Sequence, residues 1–318
     1  MRRSLPLVLL AAGLALTACA TTSGARASGT PPLSADDPRY RPLDAYGATG
    51  AETAVLGEAR WTLAKECMRG LGFAGLRELP VSPVPAWPRR PAGTGVVTLE
   101  LSDSADLRYG VQDPGQAAAH GYRSPAAEAA SRPLRRPWTL PEYLALTGEF
   151  AGDDPRTVHG HRIPEHGCLG QAERRLHDGA DPRDRPDPVL ALSGRSLLEA
   201  RRDPAWKKAD GAWSACMRAA GHRYATPQDA QEGRDRREDQ LRQLLTGGAD
   251  ADGPTEREKR TAADDARCKQ RTGYVRAVHA VDVRVQTRLV AEHRGELERE
   301  RARVRDAVRT ARAVLASA

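Results

Sequence analysis

Hydrophobic positions change their period several times along the 318-residue chain. Arg2 and Arg3 precede an apolar run from Leu5 to Leu16, which is too short to span a bilayer as a mature helix. Residues 1–18 therefore read as a signal peptide. Residues 20–42 are small, polar and proline-rich, the composition of a tether. Helical spacing takes over from Asp44 to Gly70. It fails over residues 79–95, where Pro80, Pro83, Pro85, Pro88 and Pro91 favour extended, polyproline-like chain, read as a covering loop with Trp87 packed down. VVTLEL at 96–101 is the best strand candidate. Residues 108–136 read as irregular, apart from a short helix in QAAAHGYR that turns at Gly121. LPEYLALTG at 140–148 reads as one or two helical turns, and Ile163–Asp178 as a loop leading into a helix. Val189–Arg202 and Pro204–Ala220 read as helices parted at Asp203-Pro204, where Asp203 suits an N-cap and Pro204 a first helical position. Ser193, in LALSGRS, reads as part of a helix N-terminal region.

From Pro254 to Ala316 there is no further proline, and Cys268, Thr272, Val275, Val278, Val281, Val285 and Leu289 form a seam of near-heptad spacing. The seam resumes at Leu297, Val304, Val308, Ala311 and Leu315. One unbroken helix of about 60 residues would reach about 90 Å. Its Arg/Glu-rich second half fits a helix laid over the body, a two-stranded coiled coil or a projecting arm. The predicted fold class is mainly α: a disulfide-stapled helical domain with Pro-rich irregular segments and a long C-terminal helix. Its expected parts are a signal (1–18), a lipidated N-terminus with a tether (19–42), two helical halves (43–185 and 186–253) and the terminal helix (254–318).

The five cysteines are an odd number. Leu16-Thr17-Ala18-Cys19 resembles the lipobox of bacterial lipoproteins, in which the cysteine thiol receives a diacylglyceryl group and becomes the new N-terminus. Assigning Cys19 to lipid leaves Cys67, Cys168, Cys216 and Cys268, an even set in a chain bound for an oxidising compartment. Residues 67–72 read CMRGLG and residues 216–221 read CMRAAG; Met68 and Met217 are the two methionines other than the initiator. Each unit ends a helical pattern at a glycine placed for a left-handed cap, with an aromatic near the exit (Phe73 or Tyr224). The offsets of Trp61 and Trp213 from their cysteines differ, and His222 stands where the first copy has Phe73. The pattern reads as an old duplication. The economical pairing is Cys67–Cys168 with Cys216–Cys268, each joining a Cys-Met helix to a following helix; pairing across the halves, as in Cys67–Cys216 with Cys168–Cys268, stays open.

Composition sharpens this in few places. Losing Arg2 and Arg3 with the signal takes the formal net charge from +7 to +5, which makes no case for nucleic acid. Aromatics are only 4%, so the core must come from Leu, Val, Ala and five Trp. HGHRIPEHGC holds His159, His161 and His166 beside Glu165 and Cys168, the weak candidates for a metal site; the plainer reading is a surface loop tied down by Cys168. Neither G-x-S-x-G, a P-loop, G-x-G-x-x-G nor H-E-x-x-H occurs. Asp264-Asp265 diverge on a helix and do not form a joint acid–base pair, and Asp153-Asp154 before Pro155 reads as a turn.

Together, the lipobox, the repeated Cys-Met-x-x-x-Gly units, Ile163-Pro164…Gly167-Cys168 and Ala263-Asp264…Cys268 resemble a group of actinobacterial membrane lipoproteins. The arginine-dominated basic residues, with five lysines among 49 Lys+Arg, agree with a high-GC genome. The resemblance implies an extracytoplasmic, lipid-anchored protein, with an export-type transporter as a possible envelope partner, and implies no reaction. The expectation is a non-enzymatic binding or accessory protein in the cell envelope, without a cofactor. Its partners would be the membrane, through the lipid, and an envelope protein. The alternative is a cell-wall-associated enzyme or peptidoglycan-binding module. A small-molecule receptor of two α/β lobes has no support in the pattern.

Overall fold

The computed structural model describes residues 37, 39–75, 90, 108–123, 138–233 and 254–318, all within one compact unit, Ser34–Ala318. The signal segment, Cys19, the tether before residue 37, the Pro-rich stretch apart from Arg90 and the strand candidate at 96–101 lie outside the described residues. The described chain is mainly helical, with one two-residue antiparallel pair, β1 (Thr157–Val158) against β2 (His161–Arg162).

Helix α1 (Gly50–Gly70) starts later than its periodicity suggests, because Pro42–Tyr46 forms a separate 3-10 turn. A capping box decides the start: Thr49 Oγ1 accepts from Glu52 N, and the Glu52 carboxylate accepts from Thr49 N at 2.8 Å. The same device opens α3 (Leu140–Thr147) through Thr139 and Glu142. Helix α2 (Pro114–His120) lies between them, and α4 (Gly167–Leu176) carries Cys168. Helix α5 (Pro188–Ala200) is capped by Asp187, so Ser193 lies inside it and not in its N-terminal turn. Asp203 caps α6 (Pro204–Ala219), and the short α7 (Pro227–Glu232) follows.

The Cys-Met units end their helices alike. Phe73 N donates to Met68 O at 3.0 Å and Gly72 N to Arg69 O at 3.0 Å; His222 N donates to Met217 O at 2.9 Å and Gly221 N to Arg218 O at 3.0 Å. This is the Schellman pattern twice, and both glycines sit at φ +90°. Cys67 stands against Cys168 and Cys216 against Cys268 as disulfides, with Cα atoms 5.6 and 5.7 Å apart. Closing loops with sequence separations of 101 and 52 residues contributes about 4–5 kcal/mol each in the chain-entropy model.

The region after Pro254 is three helices, α8 (Glu256–Thr272), α9 (Tyr274–Glu292) and α10 (Arg294–Ser317). Gly273, at φ +63°, and His293, at φ −111° and ψ 18°, break what the sequence pattern reads as one rod. The breaks let α10 fold back. Its Ala311 packs with Ala59 of α1 and Leu176 of α4, and Arg301 donates to both oxygens of Glu52 at 2.8 and 2.9 Å. The terminal helix is therefore laid over the body.

The sequence halves are not separate packing units. One core joins Trp61, Met68, Leu144, Leu146 and Leu169 around the first disulfide. The other joins Trp206, Trp213, Met217 and Val278 around the second, and it takes Tyr109, Val111, Ala117 and Tyr122 from the first half. The segment 108–123 crosses over with apolar side chains that alternate with polar groups bonded to α5, α8 and α9.

Candidate functional site

The segment 108–123 enters the second core through buried charge. Arg108 lies along Asp282 of α9, with Nη2 2.8 Å from Oδ1. Its remaining donors reach Ser193 Oγ at 2.8 Å and Ser196 Oγ at 2.6 Å on α5, and Tyr109 Oη donates to Asp282 Oδ2 at 2.8 Å. Burial pushes the Asp282 carboxyl up, but the Arg108 guanidinium outweighs it and holds the group below its ordinary value. Burial, followed by the neighbouring Asp282, raises the Tyr109 phenol.

A second buried pair lies one element away. On α8, Lys269 Nζ meets Asp265 Oδ2 at 3.0 Å, with both side chains within 1% of full burial. Lys269 also donates to Val111 O at 3.1 Å, and Trp213 Nε1 donates to Asp265 Oδ1 at 2.8 Å. Burial raises Asp265 and lowers Lys269, while each partner's charge opposes that shift. Gly110 (φ +72°) passes so close that a Cβ would lie 2.7 Å from Lys269 Nζ. Gln270 Nε2 donates to Gln112 O at 3.0 Å and Tyr122 N donates to Glu258 Oε1 at 3.2 Å, which completes a line of side-chain contacts along the segment.

Between this segment, α6 and α7 lies a cleft of about 240 Å³. Trp206, Tyr109 and Tyr274 give it aromatic walls, with Asp210 and Arg201 at its polar end. Tyr274 Oη donates to Asp210 Oδ1 at 2.9 Å. Burial raises the Asp210 carboxyl, against the Tyr274 hydrogen bond and the Arg201 charge. Burial also raises the Tyr274 phenol, which therefore stays a donor through neutral pH. The volume falls below the roughly 300–1,000 Å³ of small-molecule sites. Fixed donors and acceptors around aromatic rings suit recognition of a small group or a protruding side chain.

The histidine loop is drawn apart. His159 Nδ1 lies 2.8 Å from Leu71 O and its ring 4.7 Å from that of Phe73, so it packs on the first Schellman turn. His166 Nδ1 lies 2.9 Å from Asp181 Oδ2, and His161 is exposed on β2. Arg183, foremost, and His166 hold Asp181 well below the usual carboxylate range. Among the described residues no group of three or more His, Cys, Asp or Glu side chains is placed to hold a metal ion. Cys168 is taken by its disulfide. Asp264 and Asp265 diverge: Asp265 is buried, whereas Asp264 meets Arg267 at 2.6 Å and His222 at 2.9 Å.

Pattern reading missed Arg108, Asp282, Lys269 and Asp210. Asp282 did carry a signal, because a carboxylate between Val281 and Val283 on an apolar seam requires a buried partner. Arg108 carried none, being one of many arginines in an irregular stretch. Comparison with known proteins finds no matching family, no matching curated protein and no matching solved structure.

Proposed function

We propose that the protein is a lipid-anchored, extracytoplasmic binding or accessory protein of the cell envelope, held by Cys19 in the membrane and acting through contacts with an envelope partner. The carrying observation is the cysteine arithmetic. Leu16-Thr17-Ala18-Cys19 follows a signal-like run, and the other four cysteines stand in two pairs at disulfide distance. Paired thiols fit an oxidising compartment, and two acyl chains on one cysteine fit stable anchoring. The small, preformed cleft beside Arg201 and Asp210 supports recognition over turnover of a large substrate. An export-type transporter is the envelope partner suggested by the resemblance.

Growth with an alkyne analogue of palmitate tests the anchor: the wild type takes up label and sediments with membranes, while Cys19→Ala does neither. Unlabelled wild type, or label that survives Cys19→Ala, refutes it. In-cell crosslinking from the cleft rim at Gln228 tests the partner, with one discrete protein adduct expected and none counting against the reading.

A further inference from the structure

The cleft between segment 108–123, α6 and α7 holds two opposite charges with unused bonding capacity. Trp206 and Asp210 stand one turn apart on α6, so ring and carboxylate share one face of the helix. Arg201 ends α5 at the turn into α6, and Tyr274 opens α9 directly after Gly273. Tyr274 Oη donates to Asp210 Oδ1 at 2.9 Å and so fixes the carboxylate, whereas Asp210 Oδ2 has no hydrogen-bond partner among the described residues. The Arg201 guanidinium lowers the Asp210 carboxyl through its charge, yet forms neither a hydrogen bond nor an ion pair among the described residues. Most other polar groups that line the cleft are engaged within the body. Arg108 is taken by Asp282, Ser193 and Ser196. Gln228 Nε2 donates to both oxygens of Glu232 at 3.2 Å, and Thr226 caps α7 together with Asp229.

Two half-buried charges that do not pair have each lost hydration without gaining a mate. What matches them is a molecule carrying both complementary charges a few bonds apart: a carboxylate for the fork of Arg201 and an ammonium for Asp210 Oδ2. The charge of Asp229, which also acts on Asp210, favours the ammonium at that end. The walls narrow the choice further. Trp206, Tyr109 and Tyr274 are buried side chains, and Tyr109 and Trp206 stand edge to face with centroids 6.2 Å apart. They offer apolar surface to a short side chain and ring faces that attract an ammonium. The volume of about 240 Å³ is about eight times the share of one water in the liquid, room for a small amino acid and too little for a peptide.

We infer that the cleft binds a free α-amino acid with a short apolar side chain, its carboxylate on Arg201 and its ammonium on Asp210. This rests on the cleft being the recognition site of the proposed function and names what that site takes. Equilibrium dialysis of radiolabelled L-leucine against the purified protein, both disulfides closed, should show one site with a dissociation constant below about 1 mM. L-Leucinamide lacks the carboxylate and isocaproate lacks the ammonium, so each should compete at least about tenfold more weakly than leucine. In Arg201→Gln the preference for leucine over its amide should vanish, and in Asp210→Asn the preference for leucine over isocaproate. Far-UV circular dichroism checks that each variant is folded, and the wild-type competition series decides the matter where one is not. Absence of binding at about 10 mM leucine, equal competition by the three compounds, or preferences that persist in folded variants each overturn the inference. Tighter binding of O-phosphoethanolamine, the zwitterion of a lipid headgroup, overturns it as well. A protein adduct from Gln228 without leucine binding removes this inference and leaves the partner reading standing; leucine binding without an adduct does the reverse.

Discussion

Lys269→Met isolates the buried pair at the centre of the second core. The substitution keeps a long apolar stem and removes the charge, leaving Asp265 fully buried with Trp213 Nε1, at 2.8 Å, and the Tyr122 hydroxyl as its donors. Breaking a buried pair from one side costs about 3–5 kcal/mol, which lowers the folding equilibrium by two to three and a half orders of magnitude. The double variant D265N/K269M removes both charges, and its side-chain amide oxygen still accepts from Trp213. Its cost is about 1–2 kcal/mol, mostly the Val111 carbonyl losing its donor. Urea unfolding with disulfides intact, followed by far-UV circular dichroism, measures both, and the double variant should be about 2–3 kcal/mol more stable than K269M. The pH sign follows from burial. In K269M the folded-state pKa of Asp265 lies above its unfolded value, so protonation favours the folded state. The deficit against wild type should therefore shrink as pH falls from 7 toward 4 and return as pH rises through the folded pKa. A K269M cost below about 1 kcal/mol, or a deficit independent of pH, refutes the assignment of a buried ionic pair.

The two Schellman glycines separate backbone strain from crowding. Gly221→Ala meets open space and should lose about 1–2 kcal/mol for φ +90°, while Gly72→Ala also meets His159 Nδ1 at 2.7 Å and should lose more in the same urea titration. Gly110→Ala, whose Cβ would lie 2.7 Å from Lys269 Nζ, should lower the urea midpoint and blunt any further effect of K269M. Glu52→Gln should cost about 1 kcal/mol at neutral pH, since its pair with Arg301 is partly exposed. Arg301, first among its partners, holds Glu52 at about 2 in the fold, so this stability is present above the unfolded carboxyl pKa and is lost as pH falls below that pKa through about 2; the cost of E52Q should fade over the same range. Cys67→Ser/Cys168→Ser should cost about 4–5 kcal/mol, read as a fall in melting temperature that reductant exceeds in the wild type, because it opens Cys216–Cys268 as well.

The legible parts of the fold are those written locally. Asp203-Pro204, the glycines at 72, 121 and 221 and the Cys-Met echo each announce a helix end through one residue's backbone preference or hydrogen-bonding reach. The seam on α8 and α9 is legible because burial recurs at helical spacing, and Val278, Val281 and Leu289 are indeed buried. The breaks at Gly273 and His293 are not, since a lone glycine is tolerated inside helices and His293 carries no breaking chemistry of its own; the turns pay off only when α10 finds α1. The cleft was invisible for a related reason. Its polar end joins Arg201, Asp210 and Tyr274 from three elements, and no spacing along the chain relates them.

The placing of residues 108–123 shows what the buried charges contribute. Arg108, Tyr109, Val111, Gln112 and Tyr122 each make a side-chain or backbone hydrogen bond to Asp282, Lys269, Gln270 or Glu258. Apolar contact alone would tolerate sliding, since Tyr109, Val111 and Ala117 offer a small and rather uniform surface to α6 and α8. A one-residue slip would strip Asp282 of Arg108 and leave Lys269 without the Val111 carbonyl, two desolvation penalties at once. The charges therefore select one register for a segment whose own sequence has weak periodicity. That register sets Tyr109 against Trp206, with ring centroids 6.2 Å apart, and so shapes the wall of the cleft. The shape of the cleft at Asp210 and Arg201 thus depends on buried ion pairs, one of which, through Arg108, also lines it.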